Sequence, residues 1–158
     1  MNLMFSKAWV FKLFINFWPP MFFSRIKLVE ISDDFRQARA SMKLSAWNRN
    51  GVGSIFGGAL FSLTDPFYMM MLMARLGKDY IIWDKYADID FIKPGRGKVY
   101  ADFVLTDELL ADIAKHTADG SKYLPELTVY IKDEQGEIVA KVMRTLYIRK
   151  KKPKNKNI

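Results

Sequence analysis

The apolar and polar positions change period several times along the chain. From Met1 to Phe23, Trp, Phe and Leu dominate, and Asn2, Ser6, Lys12 and Asn16 fall on one side of a helical wheel. This predicts an amphipathic helix over residues 1–24, closed by Pro19-Pro20. Lys7 interrupts the apolar side, and no small-residue cleavage site follows, which counts against a signal peptide. Such a helix suits docking on its own domain or a partner subunit, and it also suits weak contact with a membrane surface. From Arg25 to Arg49 the period shortens: Ile26, Leu28 and Ile31, then Ala38, Ala40, Met42, Leu44 and Ala46 alternating with polar neighbours. One or two strands are expected, with Asp33-Asp34 as the turn.

The next stretch, Asn50 to Pro66, is a glycine-rich loop running into an apolar segment. From Gly57 to Leu76 nearly every side is apolar, including Met69, Met70, Met71 and Met73, and the run stops at Gly77. This predicts a surrounded helix with methionines filling the core, kinked by Pro66. Asp65 is the one charged residue between Arg49 and Arg75. A carboxylate in so apolar a run is expensive to bury as the ion unless it is paired or used, which makes it a candidate functional group.

After Gly77 the pattern is mostly that of strands. Tyr80–Trp83, then Ala87, Ile89 and Phe91, lead to the cationic turn Lys93-Pro94-Gly95-Arg96-Gly97-Lys98, and Val99, Ala101, Phe103 and Leu105 alternate beyond it. Thr106 caps a short helix from Asp107 to about His116, whose histidine is read as a surface residue near the helix C-terminus. Leu127, Val129 and Ile131, the turn Asp133-Glu134-Gln135-Gly136, and Ile138, Ala140 and Val142 predict a hairpin running on to Ile148.

Composition narrows the functions available. The 158 residues suit one domain, with 50% hydrophobic residues and no apolar run of transmembrane length. The chain therefore reads as a soluble, cytoplasmic protein. Without cysteine, thiol catalysis and thiolate metal sites are excluded, and a lone histidine builds no histidine cluster, so no metal or cofactor is expected. The net charge of +8 sits at the ends, since all acidic residues lie between Glu30 and Glu137 and six of the basic ones lie between Arg149 and Lys156. A basic body that would grip nucleic acid is not indicated. The division expected is a helix at 1–24, a domain at 25–149 and a basic, disordered tail at 150–158 that either solubilises the chain or meets anionic lipid or phosphate.

Strands, an apolar central helix and then antiparallel strands suggest an α+β domain in which a curved sheet wraps a buried helix. With Asn50, Phe56-Gly57-Gly58, Leu60, Leu63-Thr64-Asp65 and Ile89-Asp90-Phe91-Ile92-Lys93-Pro94 at matching spacing, the chain resembles the hotdog-fold acyl-CoA thioesterases, especially the phenylacetate-pathway type. Trp18-Pro19-Pro20, Asn48-Arg49-Asn50 and Asp65-Pro66 look like one branch of that superfamily. The resemblance implies hydrolysis of an acyl-CoA by a homodimer or dimer of dimers, without a cofactor. In it, the Gly57 N–H would polarise the thioester carbonyl and Gly58 would allow close approach. Asp65 would act as nucleophile or general base, and Asn50 would orient water or thioester. Asp84 stands near the position where relatives carry an assisting hydroxyl, and Lys93, Arg96 and Lys98 would meet coenzyme A phosphates. Phe56 occupies the place where many relatives have histidine. A tunnel lined by Phe56, Phe61 and the helix methionines would favour a medium or long acyl chain. A non-catalytic acyl-CoA or lipid-binding protein is the alternative.

Overall fold

A computed structural model describes residues 3–151. Seven antiparallel strands form one sheet: β1 (Ile26–Ile31), β2 (Gln37–Lys43), β3 (Tyr80–Phe91), β4 (Lys98–Val104), β5 (Lys122–Tyr123), β6 (Glu126–Asp133) and β7 (Ile138–Lys150). Their order is β1-β2-β4-β6-β7-β3, with the short β5 also pairing with β7. The helical segments are α1 (Ala8–Phe17), α2 (Pro19–Phe23), α3 (Gly57–Ser62), α4 (Phe67–Leu76) and α5 (Asp107–His116). The expected α+β architecture is present, with α3 and α4 as the central helix of the sheet. Phe103 of β4 lies 4.7 Å from the Phe67 ring and 5.3 Å from that of Tyr68, joining α4 to the middle of the sheet.

The strand patterns work as read. Ala38, Ala40 and Met42 are buried in β2, and the turn before it closes through Ser32 Oγ, which accepts from the Arg36 and Gln37 N–H groups. In β3 the inward phase changes midway: Ile82 and Asp84 precede, and Ala87 and Ile89 follow, a register shift between Asp84 and Tyr86. The bulge at Lys85 lets one twelve-residue strand cover what the sequence pattern suggests as separate pieces. The helix Asp107–His116 begins where expected, with Leu109 N–H donating to Thr106 Oγ1 at 3.2 Å.

Two expectations are corrected. The central helix is interrupted rather than merely kinked: residues 63–66 separate α3 from α4. Proline has no N–H to give and crowds the preceding turn, so the Asp65 N–H turns to the Ser62 carbonyl in a tighter i→i−3 bond at 3.2 Å. The first helix is divided as well. Pro19 and Pro20 close α1 and also open α2, at positions where a missing N–H is harmless.

Helix α1 buries one apolar face and leaves a second one exposed. Its buried residues are Ala8, Phe11 and Ile15, and Phe11 meets Phe35 edge-on at 5.7 Å. The polar stripe turns toward the sheet edge: Asn16 pairs with both the N–H and the C=O of Leu28, and Lys12 donates to the Val29 carbonyl. These side chains satisfy the outer edge of β1, which would otherwise present bare backbone groups. At the opposite end of the sheet, β3 pairs with β7 on one side alone among the described residues. Strand β7 continues to Lys150, and the rest of the expected tail, residues 152–158, lies outside the described residues.

Candidate active site

Asp65 lies in the break between α3 and α4, and its side chain is 62% exposed. The cost of enclosing a carboxylate in so apolar a run is avoided, because the helix interruption turns it outward. What lies buried beneath it is Arg144 of β7, with a side chain 2% exposed. Its Nη1 donates to Asp65 Oδ1 at 3.1 Å and to Asp84 Oδ1 at 3.3 Å. Its Nε and Nη2 reach Thr64 Oγ1 at 3.3 and 3.1 Å, and Nη2 also reaches the Phe61 carbonyl at 3.4 Å. The Phe61 ring lies beneath the guanidinium, 5.3 Å from ring centre to Cζ. The break thus sets the Thr64 and Asp65 side chains and the Phe61 carbonyl around one guanidinium.

Arg144 was not singled out in the sequence, yet a signal for it exists. It shares the inward phase of β7 with Ala140, Val142, Leu146 and Ile148, all buried. A cation at an inward strand position needs a partner, and the one acid standing in an apolar run is Asp65. Asp84, on β3, is the second partner. Burial pushes its carboxyl up, the Asp65 charge adds to that, and Arg144 opposes it.

The glycine pair occupies a different place. Gly57 and Gly58 open α3, whose first N–H groups have no partner within the helix. The Ala59 and Leu60 N–H groups already return to the Phe56 carbonyl. A cavity of about 320 Å³ beside them brings together Asn50, Gly57 and Lys93 with Ile55, Leu60 and Phe91. A Cβ added at Gly57 would come within 2.9 Å of Phe91 Cζ, and one at Gly58 within 2.4 Å of Phe56 Cε1. Two exposed rings therefore cover the helix start, where the resemblance led to an expectation of open approach.

The remaining expected residues are more occupied than their sequence positions suggest. Asn50 Oδ1 accepts from the Val52 and Ser54 N–H groups and its Nδ2 donates to Ser54 Oγ, so its amide closes the 50–54 loop. Lys93 pairs with Asp133 at 2.6 Å and with Glu137, across the turn between β6 and β7. Lys98 Nζ lies over the Tyr100 ring at 4.9 Å, and Arg96 is exposed. Met70 and Met71 are buried in the core, whereas the apolar wall of the cavity at Gly57 is Ile55, Leu60 and Phe91. Among the described residues no cluster of three or more His, Asp or Glu is arranged to hold a metal.

With this geometry established, the comparisons place the chain. The family described as a domain of unknown function (DUF4442) matches residues 7–148. The chain belongs to that family. The match takes in α1 as well as the sheet. No curated protein matches the sequence. Among solved structures, a Pseudomonas aeruginosa protein of unknown function, described as a probable thioesterase, superposes with a TM-score of 0.76 at 21% identity over 88% of this chain and 93% of that one. A protein of unknown function from Chlorobaculum tepidum superposes with a TM-score of 0.69 at 16% identity, over 89% of this chain and 91% of that one. A thioesterase from Haemophilus influenzae gives 0.64 at 12% identity, over 89% of each chain. At these identities the likeness establishes the hotdog fold, and it does not single out the phenylacetate-pathway type.

Proposed function

We propose that this chain hydrolyses acyl-CoA thioesters in a site shared by two copies of itself. One observation carries the reading: the two candidate halves lie along a single edge strand, one side of which is free among the described residues. Asp84 of β3 joins the Asp65–Arg144 cluster, and Phe91 at the other end of β3 covers Gly57. Gly57 opens the six-residue α3 and Asp65 lies beyond its other end, in the break, so the length of that helix, about 9 Å at roughly 1.5 Å per residue, holds the two apart within one copy. Antiparallel pairing of two β3 edges runs their ends past each other, which brings Gly57 of one copy toward Asp65 of the other. Ile81, Trp83, Tyr86 and Phe91 are exposed along that strand and suit burial in such a seam.

In the reaction, Asp65 Oδ1 stays on Arg144 while Oδ2 takes a proton from water. The hydroxide oxygen attacks the thioester carbon, and the carbonyl oxygen gains charge against the Gly57 N–H at the start of α3. Collapse breaks the carbon–sulfur bond, and the coenzyme A thiolate takes up the proton held by Asp65. Arg144 keeps the carboxylate oriented and itself makes no contact with the substrate. Asn50 supports the loop that presents Gly57. Of the three cations expected to meet coenzyme A, Arg96 is the one whose exposure suits a phosphate; Lys93 is held by two carboxylates. A medium acyl chain suits the wall of Ile55, Leu60 and Phe91, and an acyl-CoA substrate suits a cytoplasmic enzyme.

Phe56 and Phe91 over the glycines, with no histidine there, favour a second reading: binding of acyl-CoA without turnover. A panel of acyl-CoAs, hydrolysed by the wild-type chain and by Asp65→Asn, separates the two. Loss of at least about a hundredfold in the variant supports hydrolysis through Asp65. Equal rates in both overturn that role, and tight binding without turnover in either establishes the second reading.

A further inference from the structure

The outward face of α1 is apolar although its polar stripe is already used inside. Trp9, Leu13, Phe14 and Phe17 are 60, 49, 42 and 71% exposed. The surface continues through Phe22 and Phe23 of α2 to Trp47, whose ring lies 6.4 Å from that of Phe23. The 45–48 loop is tied to the end of α2, since Asn48 Nδ2 donates to the Ser24 carbonyl at 3.4 Å. So extended a group of bare aromatic side chains marks a face that something covers.

Beside it, between α1 and the β1–β2 pair, lies a groove of about 710 Å³ whose lining includes Lys12, Arg25, Lys27, Lys43 and Lys98, with no carboxylate. It shares no residue with the cavity at Gly57. None of the five cations takes part in an ion pair among the described residues.

We infer that this face docks on an anionic lipid bilayer, with the aromatic side chains at headgroup depth and the groove cations on the lipid phosphates. A bilayer offers both chemistries at once, an anionic plane and an apolar layer directly beneath it. Charge disfavours a second copy as the occupant, because a two-fold contact would set the five cations of one copy against those of the other. An acidic protein would answer the cations and leave the tryptophans and phenylalanines unmatched.

The test uses the full chain and vesicles of phosphatidylcholine with and without phosphatidylserine. Sedimentation with the anionic vesicles alone is expected, weakening as salt is raised. Lys27→Glu with Lys43→Glu should lower the partition coefficient by at least about thirtyfold, since each basic residue near such a surface is worth roughly fivefold. Phe17→Ser with Trp47→Ser should release the protein too, while the melting temperature and the hydrolysis of dissolved acyl-CoA stay unchanged in both doubles. These four residues lie outside the hydrolytic site, so failure of one proposal is separable from failure of the other. Equal binding to neutral and anionic vesicles, or binding to neither, overturns the inference. So does release from anionic vesicles by inorganic phosphate beyond that by chloride of equal ionic strength, which would assign the groove to soluble phosphates. A smaller oligomer in the aromatic double, with vesicle binding intact, would assign the face to a second copy.

Discussion

Asp65 and Asp84 accept hydrogen bonds from the same nitrogen, Nη1 of Arg144, at 3.1 and 3.3 Å. One carboxylate faces solvent and the other is largely covered, with side chains 62% and 19% exposed. The buried guanidinium thus neutralises the acid that cannot leave and orients the acid that is free to react.

Replacing the shared donor should therefore damage stability and activity together. Arg144→Met leaves Asp84 covered without its counter-charge, and a loss of about 3 kcal/mol is expected in denaturant unfolding. Arg144→Lys keeps a charge but has one nitrogen to serve Thr64, the Phe61 carbonyl and two carboxylates, so partial loss of both properties is expected. A loss in Arg144→Met below about 1 kcal/mol would mean that water replaces the guanidinium without difficulty.

Opposite pH dependences should distinguish two of the paired acids of the sheet, Asp84 and Asp133. The Asp84 carboxyl is pushed up from 3.8, chiefly by burial, so the folded state holds its proton more tightly than the unfolded chain. Its contribution to stability is fully present below 3.8 and lost as pH rises through the folded value. Asp133 is held below 3.8, chiefly by Lys93, so its contribution is present above 3.8 and lost as pH falls through the folded value. Asp84→Asn should flatten the stability curve on the alkaline side of 3.8, and Lys93→Met should flatten it on the acid side.

At Gly57 activity should separate from stability. An alanine Cβ there meets the tip of the Phe91 ring at 2.9 Å, and a small rotation of that ring relieves the contact. Alanine also has the higher helix propensity, by up to about 1 kcal/mol. The melting temperature of Gly57→Ala should hold or rise, while hydrolysis falls because the methyl group stands between the N–H and the carbonyl. Unchanged hydrolysis would remove Gly57 from the oxyanion role.

A shared site should be recoverable from two damaged copies. Asp65→Asn and Gly57→Val are each expected to be inactive alone. Refolded together in equal amounts they should return about a quarter of wild-type activity, because half of random dimers carry one intact site of two. No recovery despite mixed dimers would place both groups in one chain's site.

Much of this was legible in the sequence because it depends on local chemistry. Alternation gave β2 and the β6–β7 hairpin, Thr106 gave the start of α5, and Pro66 gave the place where the central helix fails. The family motifs named Asn50, Gly57 and Asp65. Other residues were harder to read because their roles depend on distant parts of the chain. Arg144 meets Asp65 from 79 positions away, and Lys93 meets Asp133 from 40. Nothing local in the cationic turn shows that one of its lysines is already neutralised.

The sequence by itself determined where most helices and strands fall, a disturbance of the central helix near Pro66 and the lone charge beside it, since backbone preference and hydrophobic period act over a few residues. The tertiary structure decided which way that charge faces, which cation holds it and which side of α1 is outward. The last follows from the sheet edge: the outer side of β1 needs hydrogen-bonding partners, so Lys12 and Asn16 turned toward it beside the buried Phe11 and Ile15, and the remaining aromatic side chains of α1 were left in the open.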